Sequence, residues 1–274
     1  MSARQHLGYA IFALIIAGGI AILAREAWRS RRQRPAGPSP LAPWPGRLPD
    51  LMLFLLCAFC GAFLLPSLGA AAFRPFLHTA EQRFVFGAVF LHVGFLLGIA
   101  GHHLAFRLER WRAPEIGLAL RTGGAAVLAA WPLLLLTALI WENLLQACGL
   151  PPVKQDQVAI FEGINSPALR AVFALFAGVI APINEELIFR AGLFRFCRGR
   201  LPRWLALLLP ALLFGLSHYT GSVGGWLTSL APLVVLGLVF ELAYERTGRI
   251  GTAIVAHALY NIATMALILL GIDL

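Results

Sequence analysis

Glu185 and Glu186 stand side by side in an apolar stretch, Pro182-Ile183-Asn184-Glu185-Glu186-Leu187-Ile188-Phe189-Arg190. His218 and His257 follow inside later apolar segments. Ionisable side chains at membrane depth are costly to bury and mark functional sites. A carboxylate pair, an arginine and two imidazoles in neighbouring apolar helices are the parts of a buried acid–base site.

Three short patterns carry these groups. In Glu185-Glu186-x-x-x-Arg190, the glutamate and arginine four apart share a helix face and form the natural ion pair. Glu185 then points about 100° away. It stays free, and a free carboxylate suits a general base. Phe214-x-x-x-His218 places a ring and an imidazole on one face, and His257-x-x-x-Asn261 an imidazole and an amide. The Asn261 amide has two N–H donors. Donors aimed at developing negative charge are what acyl transfer through a tetrahedral intermediate requires. Taken singly, each pattern has a plain alternative: a helix-end ion pair, or a histidine hydrogen-bonded inside a core. The ordered set of three favours a catalytic site.

The elements that hold these residues are helices in lipid. The chain has 274 residues, 59% hydrophobic and only 13% charged, far more apolar than a soluble domain. Only helices or closed barrels span a bilayer. Strand-like alternation is absent and the apolar runs have helix length. The expected fold is an all-α polytopic membrane protein of about eight transmembrane helices, with the active site in a cavity between the C-terminal helices. The spans are expected at about 7–24, 51–71, 84–106, 123–149, 168–190, 204–219, 226–244 and 250–272. Leu7 to Ala24 is read as a retained span rather than a signal peptide. Residues 1–150 are expected to be N-terminal transmembrane helices of unassigned role, and 165–270 the catalytic core.

The net charge of +9 does not point to nucleic acid. With alternating sides, 17 of the 22 basic residues fall on one side and 5 on the other. That asymmetry puts the arginine-rich loops in the cytoplasm and both termini outside. The Arg- and Pro-rich linker 25–50 is expected to be an irregular surface loop. The outer segment 150–167 is expected to hold a short helix with an interfacial Phe161. Cys57 and Cys60 read as small apolar residues rather than a redox or metal pair. His102 and His103 are expected at the interface, and His92 has no patterned partner. Glu241 could line the cavity, but snorkelling or pairing at its helix end is the favoured expectation. Trp111, Trp131, Trp141, Trp204 and Trp226 are assigned mostly to the aromatic belt.

Together the three patterns resemble those of the CPBP family, the CAAX-protease and bacteriocin-processing intramembrane endopeptidases. The likeness spans about residues 165–270 and extends to Ala181-Pro182 and to Glu245-Arg246-Thr247-Gly248. One departure is Ala191, where the family commonly has Gly directly after the motif arginine. The resemblance implies that Glu185 activates the attacking water and His218 helps hold it. It implies that His257 and Asn261 stabilise the oxyanion, with Glu186 and Arg190 as braces. It also implies hydrolysis near the membrane-anchored or lipidated end of a protein or peptide substrate.

Glu185, His218 and His257 could alternatively hold Zn²⁺ with an open fourth position. The chain has no H-E-x-x-H, and asparagine is a poor zinc ligand, so a metal-free site without cofactor is favoured. The alternative function is a non-catalytic membrane scaffold or bacteriocin-immunity protein of the same fold. A proton-coupled transporter would call for an internal repeat with paired broken helices, and none is visible. The Arg-rich, Lys-poor composition points to a bacterial inner membrane. Depth poses one problem. With the fifth span ending near residue 190, Glu185 lies near the cytoplasmic face, and His218 about 20 Å deep. They meet only if the sixth segment starts below the surface, tilts, or kinks at Pro210.

Overall fold

The computed structural model describes residues 2–32, 39–106, 115–219 and 221–272. Among the described residues there are helices and no strand. In chain order they are α1 (Ala3–Arg32), α2 (Leu48–Phe73), α3 (Ala80–Phe106) and α4 (Ile116–Ala147). Then come α5 (Asp156–Gly163), α6 (Pro167–Arg198), α7 (Arg203–Leu216), α8 (Val223–Thr247) and α9 (Ile250–Leu269). Seven of these are long and apolar enough to cross a membrane, and the protein is an integral multi-pass membrane protein. Arg34, Arg107, Arg110, Arg112 and Trp111 lie outside the described residues.

The sixth expected span is a helix of only 14 residues, α7, which covers about 21 Å. The chain still passes from one end of the bundle to the other. Its far turn meets the segment after α4: Ser222 N–H donates to Asp156 Oδ2 at 3.2 Å, and Val153 N–H to Thr228 Oγ1 at 3.0 Å. The near end of α7 is pinned by Glu245, which accepts from Arg198 at 2.6 Å and from Arg203 at 2.7 Å.

The fifth span is longer than its hydropathy indicated, running to Arg198 rather than ending near residue 190. Phe194 and Cys197 are buried and Arg195 is only 5% exposed. Its guanidinium is satisfied by the backbone, donating to Ala42 O at 2.9 Å and Pro43 O at 3.0 Å. A basic residue therefore does not end the helix here, because carbonyls of the α1–α2 linker receive it. The described part of that linker is accordingly no free loop. Arg200 donates to Gly46 O and Ser39 Oγ to Glu245 O, so residues 39–46 strap the end of the core. Helix also continues through residues 25–32, which had been expected to belong to the loop.

Pro182 sits within α6 and removes one N–H from the ladder. The helix widens around it into π turns at Phe176–Ile180 and Glu186–Phe194, flanking a single α turn at Ala181–Glu185. Widened turns of this kind are concentrated at functional sites.

Helices α2 and α3 form a tight hairpin. A Cβ at Gly98 would lie 2.1 Å from Cys57 O, and one at Gly94 or Gly61 would lie 2.2 Å from the other's carbonyl oxygen. Small residues let backbones approach closely where lipid supplies no hydrophobic drive between helices. Gly98→Ala should therefore force the pair apart and cost about 1–3 kcal/mol. Thermal unfolding in detergent reads this loss, and an unchanged midpoint would contradict the close packing.

Several peripheral residues are covered by neighbouring helices. Phe161 is turned into the protein: at 2% exposure it packs with Val85, Ile164 and Phe173. His102 is likewise buried, 5.4 Å from the Phe54 ring and 5.0 Å from Phe106. Trp141 and Trp226 spend their N–H groups on Leu227 O and Gly215 O, and Trp131 is buried, whereas Trp204 is exposed as a belt residue would be. Isolated apolar runs do not reveal which face a neighbouring helix will cover.

Candidate active site

The site forms where α6 meets α7, α8 and α9. With α6 reaching Arg198, Glu185 lies about 20 Å from that end, much the same depth as the far end of α7. The depth problem is thus resolved chiefly by the length of α6. His218 Nε2 lies 3.8 Å from Glu185 Oε2, and His257 Nε2 lies 3.7 Å from the same oxygen.

Both imidazoles are oriented by their other nitrogen. His218 Nδ1–H donates to Phe214 O at 2.7 Å, and His257 Nδ1–H to Glu186 Oε1 at 2.8 Å. A carbonyl or carboxylate can only accept, so each neutral ring presents an Nε2 lone pair toward Glu185. The gaps of 3.7 and 3.8 Å are too long for direct hydrogen bonds and suit a bridging water. Glu185 Oε2 has no protein hydrogen-bond partner among the described residues, while its side chain keeps 24% exposure.

Glu186 faces away from Glu185, toward the core. Its Oε1 accepts from Arg190 Nη1 at 3.1 Å as well as from His257, and both members of the ion pair are fully buried. Arg190 also donates to Gly237 O at 3.2 Å. Its guanidinium carbon lies 4.4 Å from the Phe214 ring centre and 5.4 Å from that of Phe240. Phe214 is thus a wedge, with Arg190 on one side and the His218 ring 4.6 Å away. Phe240 stacks on His257 at 4.8 Å.

Asn261 is placed differently from the other three. Its Nδ2 donates to Ala177 O at 2.8 Å. The local backbone explains why. Ala181 N–H bonds to Phe176 O in the widened turn, so the next donor, due for Ala177 O, would be residue 182. That residue is proline, and Asn261 supplies the missing N–H.

Three residues in or near the site were not assigned to it from the sequence. Glu241 is not at a helix surface: it is fully buried, with Arg190, Glu186 and Glu245 as its charged neighbours. Its spacing of one helical turn from Glu245 held no hint of this. Asn184, 1% exposed, donates from Nδ2 to His92 O at 2.9 Å and touches His92 Nδ1 at 3.3 Å. Glu185 is the charged neighbour of His92. The signal for Asn184 was its place beside the glutamates, a polar amide with no helical pairing of its own. Gly192, one position beyond the departure at Ala191, is where α2 comes close: a Cβ there would lie 2.9 Å from Phe54.

Among the described residues, no group of three or more His, Cys, Asp or Glu side chains is arranged to hold a metal ion.

Residues 167–263 match the family model "Type II CAAX prenyl endopeptidase Rce1-like". This Rce1-like segment is about a third of the chain and contains every residue of the three patterns. An uncharacterized protein of Mycoplasma capricolum is 27% identical over 109 residues, 39% of this chain and 31% of its own length. The UPF0177 protein YbdI of Lactococcus lactis is 33% identical over 87 residues, 32% of this chain and 44% of its own length. The chain therefore covers less than half the length of either relative. No solved structure matches it significantly. His92 and the rest of α1–α4 lie outside the Rce1-like segment.

Proposed function

We propose that this protein is an intramembrane endopeptidase in which Glu185 activates a water molecule. The observation that carries this reading is the convergence of Glu185 Oε2 with the Nε2 atoms of His218 and His257 at 3.8 and 3.7 Å. A water lying between them gives one proton to Glu185, and its oxygen attacks the peptide carbonyl. The proton on Glu185 then passes to the leaving nitrogen as the C–N bond breaks. His218 holds the water. Asn261, with one N–H fixed on Ala177 O, keeps a second for the oxyanion. His257 can join it there only when its ring carries both protons. Glu186 and Arg190 brace His257 from behind.

The substrate is a membrane-anchored protein or peptide cut near its anchored or lipidated end, in keeping with the Rce1-like segment and with a site well inside the bundle. The arginine-rich loops face the cytoplasm, and the membrane is a bacterial inner membrane. The chemistry runs without a metal: the chain has no H-E-x-x-H, and Asn261 would have no place in a zinc shell.

The test compares membrane-protein termini by mass spectrometry in host cells with and without the protein. New termini near a membrane anchor are expected only where it is present. An identical set at verified expression would instead favour the scaffold or immunity alternative. Peptidase activity of the purified protein should survive strong chelation; loss on chelation with recovery on adding Zn²⁺ would replace the metal-free mechanism by one in which Glu185, His218 and His257 bind the ion.

A further inference from the structure

The Glu185 centre has a polarity it cannot satisfy by itself. In their neutral forms His218 and His257 both direct lone pairs inward, because their Nδ1–H groups are committed to Phe214 O and Glu186. Glu185 adds a third acceptor. Such a set can take hydrogens from a water, but a tetrahedral oxyanion needs donors, and of the groups assigned to it only Asn261 offers one while His257 is neutral.

His92 has the opposite arrangement. Asn184 Nδ2 must be the donor in its bond to His92 O, since a backbone carbonyl only accepts, and this fixes which way the amide points. The same NH₂ group faces His92 Nδ1, so Nδ1 is the acceptor and the ring hydrogen sits on Nε2. His92 is half-buried, whereas Asn184 beneath it is fully enclosed. Asn184 and Glu185 are adjacent in one helical turn of α6, so the amide that sets the ring is held in register with the general base.

We propose that His92, on α3 and outside the Rce1-like segment, is a further catalytic residue: its Nε2–H donates a hydrogen bond to the oxygen of the substrate's scissile carbonyl. No proton is transferred in this step, and the bond strengthens as negative charge grows on that oxygen. The inference rests on the endopeptidase reading above. It also gives the α2–α3 hairpin a role in the chemistry.

Two measurements on the full-length protein test it. Nitrogen NMR of ring-labelled histidine should show His92 protonated at Nε2 and bare at Nδ1, the reverse of His218 and His257. A His92 ring protonated at Nδ1 would overturn the proposal. In a peptidase assay, His92→Leu should lower kcat about 10²-fold with little change in KM, the size of effect seen when one oxyanion donor is lost. His92→Gln, whose amide N–H can stand where Nε2–H stood, should restore most of it. The Asn184 bond to the residue 92 backbone survives both changes, so the α3–α6 clasp is not what they read. Wild-type turnover in His92→Leu, with Glu185→Gln inactive in the same assay, would defeat this inference alone. An inactive wild type would defeat the endopeptidase reading and this inference with it.

Discussion

Glu185→Gln is expected to abolish peptide hydrolysis, by about 10³-fold or more, while the protein stays folded in the membrane. The amide cannot take the proton from water, and general-base help alone is worth about 10²–10⁴-fold. The carboxylate also sets the charge that orients the water. Folding should be little changed, because Glu185 Oε2 has no hydrogen-bond partner to lose and the side chain is partly exposed. Measured turnover of purified variant and wild type, with thermal unfolding of both, separates the two effects. Activity close to wild type would remove Glu185 from the mechanism.

Arg190→Ala should act on stability first. It leaves Glu186 and Glu241, both fully buried, without their shared cation. Breaking a buried pair by removing one partner costs about 3–5 kcal/mol. The arginine also packs on Phe214 and Phe240, so its loss opens space beside both histidine rings. Arg190→Lys should recover only part of the loss, because an ammonium cannot reach Glu186 and Gly237 O together in the planar geometry of a guanidinium. Expression level and detergent unfolding read this. An Arg190→Ala protein as stable as wild type would show that Glu186 and Glu241 do not depend on it. Adding Glu241→Gln should restore some stability by removing one of the two stranded carboxylates.

The sequence made the helical membrane fold legible because apolar runs of helix length leave few other structures open. Glu186 and Arg190 were legible as a pair because four-residue spacing survives even in a widened helix. What periodicity hid was anything set by tertiary contact. The true end of α6 was masked by Arg195, whose charge reads as an interface although linker carbonyls receive it inside. Glu241 looked like a helix-end residue because its charged neighbours Glu186 and Arg190 lie far away in sequence. His92 had no partner at helical spacing because its partner is on another helix. The shortness of α7 was hidden because residues 204–216 are nearly all apolar, and hydropathy does not show where within such a run the helix stops.

The bond between Asn261 and Ala177 O also bears on how such a sequence can drift. Pro182 strips a carbonyl of its donor, and a side chain from α9 answers it across the bundle. The two positions are therefore not independent letters. Replacing Asn261 with an apolar residue strands a carbonyl as long as residue 182 is proline. Replacing Pro182 returns an N–H to the ladder and lets the turn tighten, which would rotate Asn184 and Glu185 relative to the part of α6 that precedes them. A substitution at either site is conditional on the other, and the helix widening that places the glutamates is written jointly by two residues in different helices.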